Sequence, residues 1–150
     1  MNIPIKKHKI MALDLGDRWI GIALSDPLCM FARPYKTVEK KNLITVLKKE
    51  LEKEEIKTIV VGYPKTMRDT ESEQTKKTVS FTKELEKEFP HVIWILWDER
   101  LTSQQALTSF KKRQNKSLHK IKEERKQSHA RAAAFILSSY LENLLYKGND

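Results

Sequence analysis

A single cysteine, Cys29, stands in this chain of 150 residues, which excludes a disulfide framework and suits a reducing compartment. It lies between Leu28 and Met30, an apolar setting that reads as a buried, inert thiol. Long apolar runs are missing as well. No stretch approaches the ~20 residues of a membrane span, and Asp14 interrupts the first apolar run before it can serve as a signal-peptide core. The expectation is a soluble, cytoplasmic protein with no membrane partner. No linker and no internal repeat divides the chain, so residues 1–150 read as one domain, long enough to bury a real core. Negative charge is the last scarcity: 20 Asp and Glu against 29 Lys and Arg give a formal net charge of +9. That balance favours a polyanion such as nucleic acid as partner. The excess is local, with nine Lys and Arg against two Glu between Lys111 and Arg131. This is a patch or an arm.

What is present alternates between apolar runs and amphipathic ones. "KIMALDL" and "WIGIALS", separated by Gly16-Asp17-Arg18, read as a hairpin. "MFARPYKTV" reads as a weaker third strand, with Pro34 marking an edge or a bend. From Lys40 to Glu55, the residues Leu43, Ile44, Val46, Leu47 and Leu51 recur at helical spacing. "KTIVVGYP" and "HVIWILWDE" read as strands buried on both faces. Between them, Glu71 to Phe89 reads as a helix with Val79, Phe81, Leu85 and Phe89 as its apolar marks, stopped by Pro90. Thr102 or Ser103 caps a short helix through Phe110. Residues 111–127 read as a mobile basic loop. A last helix is expected from about Ser128 to Tyr146, with Ala133, Ile136, Leu137, Tyr140, Leu141 and Leu144 on one face. The order predicts an α/β fold: a mixed five-stranded sheet, three antiparallel strands then two parallel ones, with helices on both faces.

Chemistry-bearing residues gather at the ends of the buried strands, in Asp14-Leu15-Gly16, Gly62-Tyr63-Pro64 and Asp98-Glu99-Arg100-Leu101-Thr102. Ligand chemistry in such sheets sits outside the carboxyl ends of parallel strands. If the strands near residues 10, 58 and 92 are parallel neighbours, Asp14 and Glu99 converge on one edge. Close carboxylates repel unless a proton or cation lies between them. A hard divalent ion suits their oxygens and activates water for phosphodiester cleavage. The competing reading gives Asp14 to the backbone amides of the hairpin turn and Glu99 to a surface pair with Arg100. Lys65 and Arg68 flank the cleft as phosphate contacts or as a solvated rim. Lys111, Lys112, Arg113 and Lys116 open the basic cluster, which would draw any polyanion. Trp94 and Trp97 read as core. Tyr63 either stacks on a base or covers the strand end.

The sequence resembles the YqgF family of RNase H-like proteins, relatives of the RuvC Holliday junction resolvases. "ALDLGDRWIGIALSD" resembles the family's opening motif and "ARP" its next short signature. "VVGYPKTMRDTESEQT" is similar to its V-G-x-P-x-x-M loop, "WDERLTSQQA" to its D-E-R-L-T motif, and "AAAFILSSYL" to its closing helix. The matches are collinear over nearly the whole chain. The resemblance implies an RNase H-like fold and a nuclease site dependent on Mg²⁺ or Mn²⁺, held by Asp14 and Glu99. It also implies trimming of the 5′ end of precursor 16S ribosomal RNA or cleavage of branched DNA, as a monomer or weak homodimer. The family's third carboxylate, an Asp at the start of the last helix, is His129 here. Asp69 and Ser72 replace usual glycines, and Trp19 stands where Arg is usual. An imidazole at 129 is a poor Mg²⁺ ligand, tolerable to Mn²⁺, or a general base or proton shuttle; otherwise it only packs. The rival to a nuclease is an RNA-binding factor that lost catalysis with the third acid. An actin-like ATPase, which shares the D-x-G hairpin, needs two clasping domains that this length does not supply.

Overall fold

A computed structural model describes residues 8–63, 73–98 and 118–147. In chain order it places β1 (Ile10–Leu15), β2 (Trp19–Ser25), β3 (Ala32–Glu39), a 3-10 turn (Lys40–Asn42), α1 (Leu43–Lys53), β4 (Thr58–Tyr63), α2 (Glu73–Glu88), β5 (Ile93–Asp98) and α3 (Leu118–Lys147). The strands form one sheet in the order β3-β2-β1-β4-β5. The β1–β2 and β2–β3 pairs are antiparallel, and β1–β4 and β4–β5 parallel. This is the mixed sheet expected from the sequence. The first hairpin closes where Gly16 donates its N–H to the Trp19 carbonyl at 3.1 Å. Pro34 falls on an outer strand: β3 pairs only with β2, and Tyr35 bulges out between the Ile22–Lys36 and Ala23–Pro34 partners, where a missing N–H costs little.

Strand alternation divides the core in two. Met11, Leu13 and Leu15 of β1 face α1 and α2, packing with Leu43, Leu47 and Leu85. Ile10 and Ala12 face α3, packing with Ala133, Ile136, Leu137 and Leu141. Small residues on this second face (Ala12, Ala23, Ala133, Ala134) let the helix lie close to the sheet.

Five expectations need correction. β5 is not buried on both faces: it is the outer strand beyond β4, and Ile93 and Leu96 are exposed. Its continuous apolar run resembled a central strand because sequence alone carries no sheet order. On α2 the buried stripe is Thr75, Thr78, Thr82 and Leu85, while Val79 and Phe81 are half-buried. Thr82 donates its hydroxyl to the Thr78 carbonyl at 2.7 Å, leaving its methyl group to pack. The last helix starts at Leu118, so residues 118–127 of the expected basic loop are helical. They lack apolar periodicity, but Lys, Arg, Glu and Gln are strong intrinsic helix formers. Leu144, expected on the packed face, is exposed. The helix expected from residue 102 to 110 and the loop residues 111–117 lie outside the described residues. Cys29 is half-buried, not buried: at φ 57° it donates its thiol to the His8 carbonyl at 3.2 Å and packs against the α3 cluster.

Candidate functional site

The parallel register brings the carboxyl ends of β1, β4 and β5 to one edge, since Leu13 lies beside Val61, Gly62 beside Trp97 and Tyr63 beside Asp98. Asp14 is there, on the α3 face with Ile10 and Ala12, because successive strand side chains alternate. Directly across the hairpin its partner is Gly21. A Cβ on Gly21 would overlap the His129 carbonyl and stand 2.7 Å from the Ala130 nitrogen, so the backbone of α3 rests on β2 at that glycine. A Cβ on Gly16 would lie 2.5 Å from the Trp19 carbonyl and 3.7 Å from His129 Cε1. Two glycines thus cradle His129 against Asp14. Sequence reading singled out Gly16 for the turn and missed Gly21, whose only signal is a glycine inside a strand pattern.

His129 Nδ1 stands 3.7 Å from Asp14 Oδ2, with side-chain exposures of 33% and 22%. That separation is too long for a hydrogen bond. Among the described residues Asp14 accepts no backbone N–H, so it does not serve the hairpin turn. His129 is not at a helix start: α3 begins at Leu118, and His129 lies well inside it. A negative charge at position 129 would therefore receive no help from the helix N-terminus, whose effect fades within the first turn.

Two other carboxylates show what structural service looks like in this chain. Asp26 accepts the backbone N–H groups of Leu28, Met30 and Phe31 at 3.1, 2.8 and 2.6 Å. Partial burial pushes its carboxyl up, but these bonds outweigh it and hold the carboxyl below the ordinary value. Glu50 on α1 is 1% exposed and accepts Tyr35 Oη at 2.7 Å and Lys36 Nζ at 2.9 Å. Burial works against its ionised form, yet the two bonds and the ammonium charge keep it low. The same bond to Glu50 pushes the Tyr35 phenol up to about 12.

Glu99, Arg100, Lys65, Arg68, Lys111, Lys112, Arg113 and Lys116 all lie outside the described residues, so the structure brings together only Asp14 and His129 of the predicted site. No group of three His, Cys, Asp or Glu able to hold a metal ion occurs among the described residues. The donors present fit a divalent ion. Two metal–ligand bonds of about 2.0–2.2 Å each reach across the 3.7 Å between Asp14 Oδ2 and His129 Nδ1. One oxygen and one imidazole nitrogen suit Mn²⁺ better than Mg²⁺. Trp94 and Trp97 are half-buried rather than core, packed from the outer strand against the two clusters. Trp94 donates Nε1 to the Phe89 carbonyl at 3.3 Å. Trp97 donates to Ser139 Oγ at 3.1 Å and meets Tyr140 edge-on.

The RuvX family model, described as "Holliday junction resolvase", matches residues 8–143. A protein of Chlorobaculum tepidum named "Putative pre-16S rRNA nuclease" is 35% identical over 137 residues, covering 91% of this chain and 95% of that one. A protein of Clostridium botulinum (strain Hall) with the same name is 35% identical over 145 residues, covering 91% and 98%. Among solved structures, Thermus thermophilus RuvC in complex with Holliday junction substrate aligns with TM-score 0.54 at 14% identity, over 90% of this chain and 95% of that one. RuvC of the same organism in a second structure gives TM-score 0.52 at 10% identity, over 89% and 95%. At such identity the likeness concerns the fold, which is that of RuvC. Among the described residues no helix is long and apolar enough to cross a membrane.

Proposed function

This chain belongs to the RuvX (YqgF) family, and from that membership we propose a metal-dependent endonuclease that cleaves phosphodiester bonds in a structured precursor of 16S ribosomal RNA. Relatives named for pre-16S rRNA favour RNA as substrate; the family description keeps branched DNA as the second candidate. The observation that carries the reading is Asp14, held 3.7 Å from His129 at the carboxyl edge of the parallel strands and, among the described residues, accepting no backbone N–H. Asp14, His129 and Glu99 would hold the ion. A divalent ion there supplies charge neutralisation at the phosphate and a water nucleophile active at neutral pH. Asp14 contributes the negative charge that draws the ion in, and His129, its backbone seated on Gly21 and its ring beside Gly16, offers the second donor. Arg100, Lys65 and Arg68 are proposed to meet phosphates near the cut. Lys111, Lys112, Arg113 and Lys116 are proposed to supply long-range attraction.

The replacement of the third acid by His129 favours one other reading, an RNA-binding factor without catalysis. Incubating the pure protein with a pre-16S rRNA fragment and with a four-way DNA junction, in Mg²⁺ and Mn²⁺ in turn, decides between them. Cleavage of the RNA, stronger in Mn²⁺, is the expected outcome. Binding without cleavage in either metal establishes the rival.

A further inference from the structure

A cleft of about 380 Å³ opens on the α3 face between the outer strand β3 and the middle of α3. Thr37, Gln127, Ala130 and Arg131 line it together with Tyr35 and Lys36, and among the described residues none that lines it is acidic. It begins beside the Asp14–His129 pair, because Thr37 pairs with Gly21, Gly21 pairs with Asp14, and Ala130 follows His129 in the helix. Two strand spacings, roughly 10 Å, separate Thr37 from Asp14 across the sheet.

The chemistry of the walls is selective. The Arg131 guanidinium, the Gln127 amide and the Thr37 hydroxyl carry hydrogen-bond donors, of which Thr37 and Arg131 also keep an interaction within the protein. The one aromatic ring is already occupied: the Arg33 guanidinium lies 5.4 Å from the Tyr35 centroid and the Lys36 ammonium 4.9 Å. The Lys36 charge is also spent on Glu50, at 2.9 Å. Donors and a cation with no open ring suit phosphate and sugar oxygens rather than stacked bases. In sequence, the stretch of α3 before Gln127 carries Lys120, Lys122, Arg125 and Lys126 against Glu123 and Glu124, a net positive charge.

We infer that this cleft holds the sugar–phosphate backbone of the strand flanking the cut, contacted by Arg131, Gln127 and Thr37 without regard to base identity. The inference rests on the nucleic-acid reading above. It is tested on the full-length protein with EDTA present, by fluorescence anisotropy of labelled single-stranded RNA and DNA of one sequence across a salt series. Gln127 and Arg131 are exposed, so the Gln127→Ala/Arg131→Gln variant folds, which circular dichroism verifies. It should bind on the order of three- to tenfold more weakly at ~0.1 M salt, with the log–log salt slope reduced by ~0.7. Lys49→Gln, which removes an equal charge from an exposed site on α1 across the sheet, should change neither. Weakening on RNA and DNA alike supports contact through phosphates. Weakening on RNA alone supports the same strand path, read through the 2′-hydroxyl. If wild type binds and the double variant matches it in affinity and slope, the inference is overturned and the nuclease reading stands. If wild type binds neither oligonucleotide, the nucleic-acid reading itself falls and the inference falls with it.

Discussion

Asp14 and Asp26 mark opposite ends of the β1–β2 ladder, and the two carboxylates have opposite surroundings. Around Asp26 the chain is tied down: three backbone N–H groups converge on one carboxylate, which stays ionised because the loop needs it so. Around Asp14 the described backbone closes on itself, Gly16 bonding the Trp19 carbonyl. Its carboxylate has no backbone bond among the described residues, faces an imidazole at a distance too long for a hydrogen bond, and sits where glycines let a helix press in. A carboxylate that stabilises its surroundings is recognised by the donors it satisfies. One kept for chemistry is recognised by the donors it is denied.

The sharpest break in that comparison is functional. Asp14→Asn should lower cleavage on the order of a hundredfold or more while leaving the melting temperature without metal equal or higher; an early-melting variant would return Asp14 to structural duty. His129→Asp comes next. It should raise Mg²⁺-supported cleavage about tenfold, equivalent to ~1.4 kcal/mol. It should also lower apo stability, because two carboxylates then share one site with no helix terminus to offset them. Melting curves with and without Mg²⁺, beside initial rates, read both halves. At the other end of the ladder the pattern should invert: Asp26→Ala is expected to cost about 1–2 kcal/mol, seen in urea midpoints, with cleavage by the folded protein unchanged.

The smallest effect is in pH. Asp26 and Glu50 both have folded values below their ordinary ones, so the stability they contribute is complete above the ordinary carboxylate range and is lost as pH falls through those lowered values. Asp26→Asn/Glu50→Gln should flatten the acid limb of the stability curve. Tyr35 acts with the opposite sign. Raised from 10.0 to about 12, its contribution is complete below 10 and lost as pH rises toward 12, a limb that Tyr35→Phe should remove.

Much of this was legible in the sequence, and the exceptions have physical causes. Apolar runs and periodicity located every described strand and α-helix except the first ten residues of α3, and Gly16 and Pro34 marked the turn and the outer strand, because these features are local. The exposure of Ile93 and Leu96 depends on which strand ends the sheet, a long-range fact. The threonine stripe of α2 was hidden because a methyl group can be buried once its hydroxyl bonds back to the helix. Glu50 is buried because Tyr35 and Lys36 close over it, a contact between β3 and α1 that helical spacing does not carry. Asp14 was found because an apolar run ends on an acid, and His129 through the family resemblance. Gly21, which determines how the two meet, is recognisable only when the helix is seen lying on it.

That contact has a mechanical consequence. With its backbone seated on Gly21, and with Ala133, Ile136, Leu137 and Leu141 packed against the sheet beyond it, α3 is clamped from His129 onward. Leu118 lies roughly 16 Å along the helix from that clamp. A sideways force at Leu118 would act on the helix as on a beam held at one end, where deflection is largest far from the clamp and smallest beside it. The gap between His129 and Asp14 would change least.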